Sequence, residues 1–299
     1  MLRHLLAPFA VAAVAAVGCG ERSEPLGDIA QPYPVTVQGA GDQPTVLEGP
    51  PRRIVALDGG SAELLRALGA RDRLVGVPAG VRAAGRLPEV VSRNGQVDVG
   101  DVVGLEPDLL VATPGADALD VALAQRESGA ALYVQPDSSV DAVATGAQEL
   151  GFLVGEPVRA RELVTRMRNR VESAESRIAG EPVVTVFVDT GFFISIPERS
   201  LLGDLVRRAH GESVGGAAPG PEPVPLTRLR SLDPDVYLAT SESRVTLEGL
   251  RNDPRTASLT AVQEGRFVLL PSDLVLRPGP RVGAALERVA RALHPDAFG

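Results

Sequence analysis

The chain has 299 residues, 44% of them hydrophobic, enough for one large or two medium domains that each bury a core. With 38 acidic against 30 basic residues the formal charge is −8, and no lysine occurs, which excludes the basic face of a nucleic-acid binder. Aromatic residues are 3% and tryptophan is absent, so a binding cleft has few rings to use.

Residues 1–19, MLRHLLAPFAVAAVAAVGC, put Arg3 and His4 ahead of an apolar run from Leu5 to Val17 and small Gly18 ahead of Cys19. This is a secretory signal pattern, with an apolar run shorter than the roughly 20 residues a spanning helix needs. The ending AVGC resembles the lipobox of bacterial lipoproteins, which implies that Cys19 carries the lipid at the mature N-terminus; a buried or free thiol is the alternative. With Cys19 lipidated no disulfide is possible, and packing alone holds the body. Residues 20–32 read as a polar, Pro/Gly-rich tether. YPVTVQ and PTVLEG around the turn-like GAGDQ predict a small hairpin at the entrance of the body, near Tyr33.

From there strands and helices alternate. RIVALDGG is an apolar run bounded by glycines and predicts a buried parallel strand, and SAELLRALGA follows with helical spacing, capped by Ser61 and ended by Gly69. LVGVPAG, DLLVATPG and ALYVQP predict further strands; VDVGDVVGLEP, ALDVALAQRESG and SVDAVATGAQELGFLVG predict helices. Residues 33–155 are thus a first α/β lobe. Glu156 to Ile178 holds no strand, and Val158, Leu163, Met167, Val171 and Ala174 recur at roughly helical spacing, so 156–179 is read as one long bridging helix. Residues 180–299 resume the alternation as a second lobe. GLEPDLLVAT from Gly104 and SLDPDVYLAT from Ser231 are equivalent helix-to-strand elements of the two lobes, in which Pro107 and Pro234 stop the helices and Asp108 and Asp235 turn the chain. The fold class is α/β, with two lobes, each a mostly parallel sheet flanked by helices, joined by one long helix.

PPRRIVALDGGSAELLRALGARDRLVGVP, the two repeated phrases, the bridging helix and the ending RPGPRVGAALERVARALHP together resemble the extracytoplasmic substrate-binding proteins of ABC importers for ferric siderophores, haem and cobalamin. The resemblance implies a class III periplasmic-binding-protein-like fold with a rigid bridging helix and little hinge motion. It further implies a monomer, anchored by lipid at the extracytoplasmic face of the membrane or in the periplasm, that holds a ferric siderophore, cobalamin or haem between its lobes. Such a protein delivers its ligand to an ABC permease and needs no cofactor. Members that deliver cobalamin or siderophores commonly carry a glutamate seven residues before the proline of each phrase. Here those positions are Gly100 and Thr227, leaving Asp98, Asp101 and Glu222 as neighbouring acids for permease docking. An orphan binding or sensor protein of the same fold is the alternative, and an α/β enzyme a further one.

In open α/β sheets ligands bind beyond the carboxyl ends of the strands. The loops there supply Asp58, Gly59, Gly60, Arg82, Thr113, Pro114, Phe192, Phe193, Thr240, Ser241, Asp273 and Arg277 as ligand-binding candidates. Arg82 or Arg277 can pair with ligand carboxylates or with the negative shell of a ferric chelate, or can be a solvated charge or a helix-end partner. Adjacent rings in a strand face opposite ways, so of Phe192 and Phe193 one is expected in the core and one in the groove. Asp58 either binds ligand or stabilises the DGG turn. His210 and His294 read as helix ends, so neither a metal site nor a catalytic constellation is expected. Tyr133 and Tyr237 lie inside strand patterns and are expected to be buried. Scarce aromatics, together with the resemblance of YPVTV to that branch, lean toward a ferric siderophore.

Overall fold

The structure is a computed structural model that describes residues 32–81, 87–216 and 220–299; Arg82 and Cys19 lie outside the described residues. A hairpin of β1 (Val35–Val37) and β2 (Thr45–Leu47) leads into β3 (Ile54–Ala56), α1 (Gly59–Ala67), β4 (Leu74–Pro78), β5 (Glu89–Val91), α2 (Val99–Gly104), β6 (Leu109–Ala112), α3 (Ala118–Ser128), β7 (Ala131–Val134) and α4 (Val140–Leu153). These five strands from β3 onward form one parallel sheet in the order β5-β4-β3-β6-β7. The hairpin shields its β7 edge, Thr45 Oγ1 donating to Leu132 O at 2.6 Å and Ala40 N to Val134 O at 2.7 Å.

After α5 (Pro157–Arg177) come β8 (Val184–Asp189), β9 (Ile194–Ser195), α6 (Leu201–Arg208), β10 (Gly211–Ser213), β11 (Glu222–Pro223), α7 (Leu226–Leu232), β12 (Val236–Thr240), α8 (Leu247–Asn252), α9 (Thr260–Gln263), β13 (Phe267–Leu270), α10 (Ser272–Val275) and α11 (Val282–Leu293). The second parallel sheet runs β10-β8-β12-β13, and β9 and β11 form a separate antiparallel pair. Every residue of β3, β6 and β12 is buried, as expected of parallel strands covered on both faces.

The bridging helix spans what its sequence predicts, with Glu156 and Ile178 as its caps. Leu163, Met167, Val171 and Ala174 are buried, together with Ala160 and Val164, and the helix packs against α4 on one side and α11 on the other. Val158 departs from the expected stripe and is 40% exposed, since it lies off the line that these residues share. β10 is a strand that no pattern announces: GES carries no apolar run, yet it pairs with β8 directly after His210. Gly211 permits this, because a Cβ there would lie 2.7 Å from both Leu293 and Val206. His210 and His294 sit at helix ends as read, each ring nitrogen near a backbone carbonyl: Glu181 O at 3.1 Å and Ala209 O at 3.0 Å.

The two repeated phrases do the same work in each lobe, and that work is more than turning the chain. The Asp108 carboxylate accepts from Arg52 N at 2.6 Å and Arg53 N at 3.0 Å, fastening the residue that opens β3 beside β6. The Asp235 carboxylate accepts from Thr185 N at 2.8 Å and Thr185 Oγ1 at 2.7 Å, fastening β8 beside β12. Before each, Glu106 and Asp233 hold the same left-handed backbone, φ 45° and 37°.

Candidate ligand-binding groove

Two hollows meet between the lobes. The first, about 370 Å³, lies beyond the carboxyl ends of the first-lobe strands and is lined by Asp58, Gly59, Gly60, Arg93, Thr113 and Arg277 among others. The second, about 390 Å³, lies against the second lobe and is lined by Thr190, Ile196, Pro197, Arg199, Ser200 and Pro221. Asp137, Leu276 and Pro278 line both, so the two hollows form one groove. A larger hollow of about 490 Å³ lies between the β1–β2 hairpin, β7 and α3, away from the interlobe seam.

The seam beneath the groove is built by α1. Its N-cap is Asp58, not Ser61: Asp58 Oδ1 accepts from Ser61 N at 2.9 Å and Oδ2 from Ser61 Oγ at 2.5 Å. The helix begins earlier than its apolar spacing implies because Gly59 and Gly60 form its first turn, where the second lobe comes close. A Cβ on Gly60 would lie 2.7 Å from Pro278 O, and one on Gly59 3.1 Å from Arg277 Nε. Buried Gln135 donates from Nε2 to Pro278 O at 2.7 Å and accepts from Ser61 Oγ at 3.1 Å. Glu63 meets Arg281 at 2.9 Å and Arg277 at 3.5 Å. The glycines are therefore places of close approach between the lobes.

Burial pushes the Asp58 carboxyl up from its ordinary value, against the opposing pull of Ser61 and the Arg277 charge. Burial and the neighbouring Asp58 charge push Asp137 up as well. Arg93 and Arg199 are exposed on opposite lobes and enter no ion pair among the described residues. Among the described lining residues of the groove there is no His, Cys, Met or Tyr. No group of three or more His, Cys, Asp or Glu is placed to hold a metal ion among the described residues.

The structure thus brings together Asp58, Gly59, Gly60, Thr113 and Arg277 of the residues named from the sequence. Pro114 turns into the outer hollow instead. Phe192 and Phe193 do not obey strand alternation, because both are left-handed, φ 58° and 67°, in a turn that Asp189 closes by accepting from Gly191 N and Phe193 N at 3.0 Å. Their rings contact each other edge to face at 5.0 Å; Phe193 rests on the second-lobe core, and Phe192 is 69% exposed and lines neither hollow. Thr240 is buried with no partner for Oγ1 among the described residues. Ser241 pairs with Ser272 at 2.9 Å, and Asp273 faces Arg281 at 3.6 Å; neither reaches the groove. Tyr133 and Tyr237 are buried as read, donating to Glu149 at 2.8 Å and Asp189 at 2.6 Å. Of the docking acids, Asp98 caps α2 and is exposed like Asp101, whereas Glu222 is half-buried in β11.

Asp137 was findable, since the QPDSS loop leaves the carboxyl end of β7 by the same rule as the named loops. Arg93 and Arg199 had a weaker signal: Arg93 follows a three-residue strand, and Arg199 follows the two-residue β9.

Residues 54–274 match a family described as Periplasmic binding protein. A Bacillus subtilis (strain 168) relative, an uncharacterized ABC transporter substrate-binding lipoprotein, YvrC, is 24% identical over 96% of each chain. A cobalamin-binding protein of Halobacterium salinarum is 25% identical over 89% of this chain and 76% of its own. The crystal structure of the periplasmic vitamin B12 binding protein BtuF of Vibrio cholerae superposes with a TM-score of 0.73 at 20% identity, covering 83% of this chain and 98% of that one, a likeness of fold. No helix among the described residues is long and apolar enough to cross a membrane.

Proposed function

The chain belongs to the periplasmic binding protein family, and we propose that it captures an intact metal chelate, a corrinoid or a ferric siderophore, in the groove between its lobes and hands it to an ABC permease. It performs no chemistry of its own, and Cys19 carries the lipid that holds it at the outer face of the membrane. The observation that carries this reading is the lining of the groove. Among the described residues it offers guanidinium groups (Arg93, Arg199, Arg277), carboxylates and backbone, and no imidazole, thiolate or phenolate, so it suits the organic periphery of a chelate rather than the metal itself. Haem held through a protein ligand to its iron fits less well for the same reason. The names of the Bacillus and Halobacterium relatives point the same way.

Calorimetric titration of the full chain with cyanocobalamin, haemin and a panel of ferric siderophores tests it. One chelate binds saturably, and Arg199→Ala, which disturbs no ion pair, weakens it by about tenfold. Heat from none of them overturns the reading. A receptor without permease delivery is the second reading, favoured by Thr227, Arg228 and Arg230 exposed on α7 where an acidic docking face would stand. Ligand-dependent stimulation of permease ATPase activity in proteoliposomes decides between them.

A further inference from the structure

Asp137 occupies a singular place in the groove. Among the described residues it is the one ionisable residue that lines both hollows, at the point where the walls of the two lobes meet. Its carboxylate is half-buried, and among the described residues no side chain pairs with it; its own backbone N–H is its donor. The nearby carboxylate, Asp58, is in the opposite situation, satisfied by Ser61 N and Ser61 Oγ and facing the Arg277 charge. Asp58 therefore serves α1, whereas Asp137 has unspent acceptor capacity aimed at the space a ligand fills. A half-buried carboxylate without a counter-charge is partly desolvated at a cost, and a cargo that brings N–H donors or a positive charge relieves that cost. A cargo that brings a carboxylate to the same place adds repulsion from Asp137 and Asp58 together.

Arg93 and Arg199, unpaired on opposite lobes, have the complementary need for acceptors. A primary carboxamide supplies both kinds of group at once, its N–H to Asp137 and its C=O to a guanidinium, without net charge. We propose that Asp137 is the specificity-determining residue of the groove, selecting chelates whose periphery carries carboxamide or ammonium donors and rejecting those edged with carboxylates. The proposal rests on the solute-binding reading above and deepens it to a class of cargo.

The experiment titrates the full chain and its Asp137→Asn and Asp137→Ala variants with four probes. Two are cyanocobalamin and cobalamin whose peripheral carboxamides have been partly hydrolysed to carboxylates; two are ferrioxamine B, which bears a free ammonium, and ferric citrate. Wild type prefers the donor-bearing member of at least one pair by about tenfold or more. Asp137→Asn narrows that preference to within about twofold by raising affinity for the carboxylate-edged member, a gain that a merely structural defect cannot produce. Thermal unfolding of each variant separates loss of binding from loss of fold. A wild-type protein that binds one of the probes with no preference, or a preference that Asp137→Asn leaves unchanged, overturns the assignment to Asp137 and leaves the solute-binding reading in place. A wild-type protein that binds none of the four overturns the assignment to Asp137, and the solute-binding reading falls with it only when haemin and the wider siderophore panel give no heat either.

Discussion

The two lobes enter their sheets by the same device and present different walls to the groove. At the amino ends of the strands, Asp108 and Asp235 each clamp a neighbouring strand through two short hydrogen bonds. At the carboxyl ends the first lobe offers glycines, Asp58, Arg93 and Thr113, whereas the second offers Ile196, Pro197, Leu201, Leu202 and Pro221 around Arg199 and Ser200. Framework and wall occupy opposite ends of the same strands, so one wall can diverge without disturbing the pairing that holds the sheet. The seam adds a second contrast. Beneath the groove, backbone fits closely on glycine beside the Glu63 ion pairs, while further along the contact is ionic without such a fit: Arg208 on α6 reaches Asp141 of α4, Glu175 of α5 at 2.8 Å and Asp204 at 3.0 Å.

The largest effect is expected where the fit is closest. Gly60→Val sets side-chain atoms against Pro278 O and should cost about 2–3 kcal/mol in denaturant titration, with chelate binding lost as well. Gly104→Val, with nothing within 4 Å of its Cβ, should cost under about 1 kcal/mol. Equal costs at the two sites would dissolve the contrast between a packed seam and an open helix end.

Next comes the ionic side. Asp204 is buried, accepts from Val140 N at 2.9 Å and binds Arg207 and Arg208, so Asp204→Ala should cost about 2 kcal/mol. Burial alone raises its carboxyl, yet the Val140 N–H and the two guanidinium groups hold it below the usual range. The stability it contributes is therefore present above the unfolded value, near 4, and is lost as pH falls through the lower folded value. Urea midpoints measured from pH 6 to pH 2.5 should fall less steeply for Asp204→Asn than for wild type.

The smallest difference is between the two strand clamps. Asp108→Asn and Asp235→Asn should each cost about 1 kcal/mol. Asp235 should also contribute acid sensitivity, because the Thr185 N–H and hydroxyl hold its carboxyl low, and that contribution disappears as pH drops through the depressed value. A urea-midpoint profile for Asp235→Asn that falls with pH as steeply as wild type would remove that acid contribution.

Much of this architecture could be read from the chain. β3, β6 and β12 are largely apolar runs and α5 keeps a buried stripe through Leu163, Met167 and Val171, whereas the cap of α1 read as Ser61 is Asp58. Each of these signals is local, decided by residues within a turn or two. The phrase shared by Gly104–Thr113 and Ser231–Thr240 likewise marked equivalent strands of two lobes.

The groove was less legible, because its members are chosen by what lies opposite them. Asp58, Gly59, Gly60, Thr113 and Arg277 follow the rule that ligands gather beyond strand ends, but the same rule offered Phe192, Thr240 and Ser241, which the packing of the second lobe turns elsewhere. Arg199 and Pro221 come from the short β9–β11 pair, whose two-residue strands leave no periodicity to detect.

The sequence by itself determined the long apolar strands, the longer helices, the bridging helix and the pairing of two similar lobes, since hydrophobic period acts over short stretches of chain. Only the tertiary structure decided that Gly59 and Gly60 serve the contact with Pro278 and Arg277 and that Asp137 is left facing open space. The glycine contacts depend on residues more than 70 positions apart, as does the neighbouring bond of Ser61 with Gln135, and no local pattern encodes which distant backbone will arrive there; the Asp58 cap is local, and the fold decides only that it stands at the groove.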